Sequence, residues 1–144
     1  MATALWTVIA FAAWTLLIMG FGIGTRRWYS ILFGRAELTS FPGDTPHGDV
    51  AYRRVVRAHA NCIENLPVYA AIVLSAEALS VVPAYMDALA VGVIACRIVQ
   101  SSIHMLLPET NRTVAVRFSF FFAQYAAMSW MIVSIAALGI ARAG

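Results

Sequence analysis

The chain contains no lysine: all ten of its basic residues are arginines. Charge is scarce altogether, at 12% of residues against about 25% in an ordinary soluble domain, while 61% are hydrophobic and the mean hydropathy is +0.77. A globular domain of 144 residues has too little interior to hide that much apolar surface, so a soluble fold is excluded. Cysteine is nearly absent. Cys62 and Cys96 form no Cys-x-x-Cys or Cys/His spacing, and the three histidines are far apart, which excludes a disulfide framework and leaves no metal-site motif. The arginines are too scattered for a nucleic-acid site, and no internal repeat or low-complexity tract is present. Arginine used to the exclusion of lysine points to a GC-rich, bacterial genome.

What is present in abundance is long apolar runs. They predict a single all-α membrane domain over 1–144, with helices over about 4–24, 50–82, 84–107 and 113–141 and a loop over 25–49. Each run has about 20 residues or more, enough to cross about 30 Å of hydrocarbon at 1.5 Å per residue. The first run lacks a basic stretch before it, exceeds the usual ~7–15 residues of a signal sequence, and is followed by Arg26-Arg27, so it reads as a retained helix. Pro83 and Pro108-Glu109-Thr110-Asn111 mark tight turns, and Gly34, Pro42-Gly43, Pro46 and Gly48 break up the loop.

In an up-down-up-down four-helix bundle the long loop and the Pro108 turn emerge on one side. That side collects Arg26, Arg27, Arg35, Arg53, Arg54 and Arg112, whereas Arg142, Glu77 and Asp87 belong to the other. The positive-inside rule puts the 25–52 loop in the cytoplasm, giving a multi-pass protein of a bacterial inner membrane, and Trp28 and Tyr29 fit an interfacial belt.

Several polar residues interrupt the apolar runs. At about 100° per residue, Asn61 lies about 40° and Glu64 about 20° from Arg57, one stripe on the second helix. Gln100 and His104 lie about 60° and 20° from Arg97 on the third, and Gln124 lies about 20° from Arg117 on the fourth. Charges at a helix centre in lipid cost about 3 kcal/mol each, so they face protein and serve a ligand or a partner helix. Given the helix directions, all of these groups gather in the loop-side half of the bilayer. Interhelical ion pairs such as Glu64 with Arg97 are one explanation. Three arginines facing one glutamate leave positive charge unbalanced, and an anionic ligand is the other. A small ion or proton pathway through Arg57, Glu64 and Arg97 is a third reading. His59 points about 160° from Arg57 and reads as a packing residue, while Pro67 kinks its helix just past the stripe.

The run RAHANCIENLP, from Arg57 to Pro67, resembles the second-helix signature of the MAPEG superfamily, the membrane-associated proteins of eicosanoid and glutathione metabolism. Arg57, Ala58, His59, Asn61, Glu64 and Pro67 match it, Arg97 and Arg117 agree more weakly, and length and helix order agree throughout. The resemblance implies a homotrimer with glutathione held between neighbouring subunits. Arg57 and Arg97 would take its carboxylates, Glu64 its ammonium, and Asn61, Asn65, Gln100 and His104 further hydrogen bonds. Arg117 matches the arginine beside the glutathione sulfur in catalytic members, where a guanidinium favours the nucleophilic thiolate. Gln100 and His104 stand where the family usually has ring-bearing residues, one of them a tyrosine, and Phe118 where some members have serine.

The resemblance therefore implies a membrane transferase or peroxidase that uses glutathione as co-substrate, without a metal, on small hydrophobic electrophiles or lipid hydroperoxides arriving from the bilayer. The alternative on the same fold is a non-enzymatic lipid-binding or scaffold protein.

Overall fold

The computed structural model describes residues 2–42 and 47–143. Gly43 and Pro46, expected to help break up the loop, lie outside the described residues. Four long helices carry the fold, and among the described residues there is no strand. The first is composite: α1 (Ala2–Leu17) runs through a π-helical stretch, Ile18–Gly24, into α2 (Thr25–Leu32) without leaving helical backbone angles. It is followed by a short 3₁₀ turn, Leu38–Ser40, then α3 (Val50–Ala78), α4 (Met86–Leu106) and α5 (Asn111–Ala143).

The first helix continues eight residues past Gly24, into the segment expected as loop. The reason is local. Gly24 keeps right-handed helical angles (φ −59°, ψ −51°), whereas Gly34 takes the left-handed conformation (φ 64°) that ends a helix. The Arg35 amide then reaches back to the Ser30 carbonyl at 2.8 Å and the Gly34 amide to Ile31 at 3.0 Å, closing the last turn. Arg26-Arg27 mark a change of surroundings along a helix, not its end. The π stretch is registered by the Thr25 amide bonding the Gly20 carbonyl, five residues back. Within it Gly22 admits α3: a Cβ there would sit 2.5 Å from Val55 Cγ1.

Asp49 starts α3 as an N-cap, its carboxylate accepting the Tyr52 amide at 2.6 Å. After Ala78 the chain turns through Ser80, which holds the left-handed conformation (φ 54°), and the Val81 amide returns to the Ala76 carbonyl at 2.9 Å. This turn and Pro83 separate α3 from α4.

Cross-helix contacts fix the topology. Thr7 and Tyr69 share a buried hydroxyl contact near one end of the α1/α3 pair, and Gly22 meets Val55 near the other, so the two helices are antiparallel. The Asp87 carboxylate accepts the Ala4 amide at 3.0 Å, and Trp14 Nε1 donates to Ser101 Oγ at 2.8 Å, so α4 runs parallel to α1. Tyr85 donates to Ser134 at 2.5 Å, Gln124 donates to Gln100 at 3.1 Å, and Arg142 donates to the Ser80 carbonyl, which sets α5 antiparallel to α4. The result is an up-down-up-down bundle in which α4 touches α1, α3 and α5. Its core is apolar, built on Phe11, Cys62, Tyr69, Val73, Met86, Val93 and Met131.

Among the described residues three helices are long and apolar enough to cross a membrane: Thr3–Leu32, Met86–Leu106 and Asn111–Arg142. α3 has the length, at 29 residues, but Asn61, Glu64 and Asn65 dilute its hydropathy. The polar stripe that marks the candidate site is therefore what separates α3 from the other helices. Outward faces carry Phe21, Phe118, Phe122, Tyr125, Trp130 and Ile140, as suits a helical bundle bathed in lipid.

Candidate functional site

α4 supplies the buried half of the polar constellation. Its spacing places Arg97, Gln100 and His104 on one face, and all three are buried, Arg97 to 1% exposure. Burial of a guanidinium demands partners, and few are present. Its carbon lies 5.6 Å from the centre of the Phe11 ring on α1, a cation–π contact, but Nε and Nη2 are buried without a hydrogen-bond partner. Among the described residues no carboxylate forms a salt bridge with it. The Glu64–Arg97 ion pair considered above is thus not formed, although Glu64 remains the carboxylate whose field acts on Arg97.

The rest of the α4 face is tied to its neighbours. Gln100 accepts from Gln124 Nε2 of α5, which also donates to its own helix at the Phe120 carbonyl, 2.9 Å. Gln124 Oε1 is left buried and unpartnered. Ser101 Oγ bonds the Arg97 carbonyl at 2.7 Å and receives the Trp14 indole.

α3 supplies an open half. Arg57 and Glu64 are exposed, and Asn61 and Asn65 are half-buried, with Asn65 Nδ2 donating to the Asn61 carbonyl at 2.8 Å. Pro67 has no amide proton to offer the Ile63 carbonyl, so the backbone beside Glu64 keeps a free acceptor. Antiparallel packing sets the two halves side by side, and the seven-residue spacing from Arg57 to Glu64 matches that from Arg97 to His104. One chain thus sets the α3 stripe and the α4 face on adjacent antiparallel helices. It leaves the α3 charges facing outward.

Arg117, early in α5, joins the same end. His104 feels Arg117, Glu109, Arg57 and Arg54. Glu109, in the α4–α5 turn, stands between Arg117 and His104: its Oε1 lies 3.6 Å from Arg117 Nη1 and 3.9 Å from His104 Nε2. Sequence reading treated Glu109 only as part of a turn, because a single loop carboxylate has no helical period to align it with the stripes. Arg54 was likewise read only for topology, yet its Nη1 donates to the Leu107 carbonyl at 2.5 Å and ties α3 to that turn.

His59 is half-buried and its Nε2 has no partner. Cys62 and Cys96 are both free thiols. A cavity of about 670 Å³ lies elsewhere, at the loop end, lined among others by Arg26, Tyr29, Phe41, Asp49 and Tyr52; none of the eight candidate residues borders it. No cluster of three or more histidine, cysteine or acidic side chains able to hold a metal occurs among the described residues.

The sequence was compared with known proteins on three levels. The profile described as MAPEG family matches residues 3–137, nearly the whole chain. No curated protein and no solved structure matches.

Proposed function

The chain belongs to the MAPEG family, and on that premise we propose that it binds glutathione and conjugates it to, or reduces with it, a small hydrophobic electrophile or lipid hydroperoxide. The observation that carries the reading is Arg97: a buried cation with two unpartnered nitrogens and, among the described residues, no salt-bridged carboxylate, beside a stripe whose only acid is Glu64. Such a group is stable only if something anionic completes it. Glutathione offers two carboxylates, an ammonium and a thiol. Arg57 and Arg97 hold the carboxylates, Glu64 the ammonium, and Asn61, Asn65, Gln100 and His104 supply neutral hydrogen bonds. Bound there, glutathione supplies a thiolate nucleophile, and Arg117 holds negative charge on its sulfur.

The outward-facing Arg57 and Glu64 argue for a further body over the α3/α4 seam. Bare charges facing lipid are costly, and a neighbouring copy in a homotrimer covers them. Substrate then arrives from the bilayer through the apolar flank of α5. The positive-inside rule places the arginine-rich loop end in the cytoplasm of a bacterial inner membrane.

A second reading, a lipid-binding scaffold of the same fold, is favoured by Gln100, His104 and Phe118, which replace ring-bearing and hydroxyl residues of catalytic relatives. Titration of the purified protein in detergent with glutathione, followed by turnover with a generic aromatic electrophile and with a lipid hydroperoxide, separates them. Saturable binding with turnover is the expected result. Binding without turnover of either substrate selects the scaffold, and absence of binding removes glutathione altogether.

A further inference from the structure

At the loop end, Glu109 lies within ion-pair distance of two candidate site residues at once. It stands 3.6 Å from Arg117 and 3.9 Å from His104, the first on α5 and the second on α4. The turn that carries it is held on both sides. Thr113 Oγ1 receives the Thr110 amide at 2.8 Å and donates to the Pro108 carbonyl at 2.8 Å, while the Thr113 amide donates to Thr110 Oγ1 at 3.2 Å. Arg54 holds the Leu107 carbonyl on the other flank. Pro108 and this reciprocal threonine cap leave the intervening residue little backbone freedom, so the carboxylate is presented to Arg117 by a fixed turn.

We propose that Glu109 is an internal counter-ion to Arg117 that tunes thiol ionisation in the bound ligand, a role that rests on the glutathione reading above. A guanidinium favours a thiolate beside it because it supplies positive potential, and a carboxylate at 3.6 Å removes part of that potential. Glu109 therefore opposes Arg117: with the carboxylate in place the bound thiol ionises less readily, and a thiolate must share or displace it. Arg57 and Arg54 of α3 also bear on His104, and neither forms a salt bridge with Glu109. Because Glu109 is more than half exposed, solvent screens the effect and keeps it small.

Three carboxylate changes test this by ultraviolet titration of the bound thiol, combined with glutathione affinity measured on the whole protein in detergent. Glu109→Gln should raise the thiolate fraction near neutral pH and tighten glutathione by roughly two- to five-fold, the span of a partly exposed charge pair. Glu109→Asp, which keeps the charge, should titrate close to the parent. Glu77→Gln, on the opposite end of α3, should change neither readout. A merely structural role for Glu109 would move thermal stability and leave the thiol titration unaltered. If the parent binds glutathione and Glu109→Gln shows an unchanged or smaller thiolate fraction, the counter-ion role is overturned and the ligand assignment stands. If the parent binds no glutathione, both are overturned together.

Discussion

The guanidinium carbon of Arg97 rests 5.6 Å from the centre of the Phe11 ring, deep in the bundle and, among the described residues, without a salt-bridged carboxylate. A ring face is a weak substitute for a counter-ion: such contacts contribute about 0.5–2 kcal/mol, against a desolvation penalty of several kcal/mol for a buried ion. Arg97 is therefore a liability to the fold and an asset only to a ligand. The first prediction follows from that imbalance. Arg97→Met, which fills similar volume without charge, should hold or raise the thermal midpoint in detergent while weakening glutathione binding at least tenfold. A destabilised variant with parental affinity would show that Arg97 serves packing instead.

The second prediction concerns the open half of the site. Arg57 and Glu64 share a face of α3 and offer the opposite charges that the two ends of glutathione require. Loss of one hydrogen-bonded charged contact costs about 2–3 kcal/mol, or roughly 30- to 150-fold in affinity. Arg57→Ala and Glu64→Gln should each bind more weakly by that order in a calorimetric titration, with little change in the unliganded fold because both side chains are exposed. Parental affinity in both would place the ligand elsewhere.

Gln100 and Gln124 form a buried amide pair that can be probed as a cycle. Removing one partner strands the other at about 1–3 kcal/mol, whereas removing both leaves an apolar contact. Gln124→Leu should lower the thermal midpoint in detergent, and Gln100→Leu combined with Gln124→Leu should recover most of the loss. Additive losses would mean that the two amides act independently. The same double variant reports on ligand binding, since Gln100 is a proposed glutathione contact and Gln124 is not.

How much of this was visible in the sequence depends on whether a residue lies on a regular helix. Arg57, Asn61 and Glu64 announce themselves because a 3.6-residue period converts spacing into direction, and the same rule aligned Arg97 with Gln100 and His104. The family signature from Arg57 to Pro67 added the fold. Features that arise between elements were not legible. Phe11 is one apolar residue among many in its run until α1 and α4 are packed, and Glu109 belongs to a turn with no period. The end of the first helix was misplaced because Gly24 and the arginines after it look like a boundary. The backbone conformation of Gly34, which sequence does not print, decides where the chain turns.

Orientation and assembly can be read without a ligand. Ser40 lies in the exposed 3₁₀ turn on the arginine-rich end of the bundle, its hydroxyl accepting the Glu37 amide at 3.1 Å. Ser40→Cys, in a background lacking Cys62 and Cys96, should react with an impermeant reagent only after the membrane is opened, as the positive-inside rule predicts for the arginine-rich end. Labelling in intact cells would reverse the topology. A detergent-corrected mass of three chains is expected, and one or two would leave the outward-facing Arg57 and Glu64 without the proposed cover.

Arg117 offers the sharpest separation of binding from chemistry. Its side chain is one-fifth exposed and its salt-bridge partner Glu109 is more exposed still, so Arg117→Leu should leave the fold intact. Carboxylate contacts at Arg57 and Arg97 would continue to hold glutathione, within about tenfold of parental affinity, because a lost charge contact distant from those carboxylates is worth about 1.4 kcal/mol or less. Turnover should nonetheless collapse near neutral pH. Without the guanidinium the bound thiol pKa rises by about one to two units, equivalent to about 1.4–2.7 kcal/mol of lost thiolate stabilisation, and the reactive fraction falls in proportion. Because the deficit is one of ionisation, raising the pH should restore part of the rate, which a defect in substrate positioning would not allow. The thiolate absorbs in the ultraviolet, so spectral titration of bound glutathione in parent and variant measures the shift directly. Equal thiol pKa values in the two proteins would remove Arg117 from the chemistry, whatever the variant does to the rate.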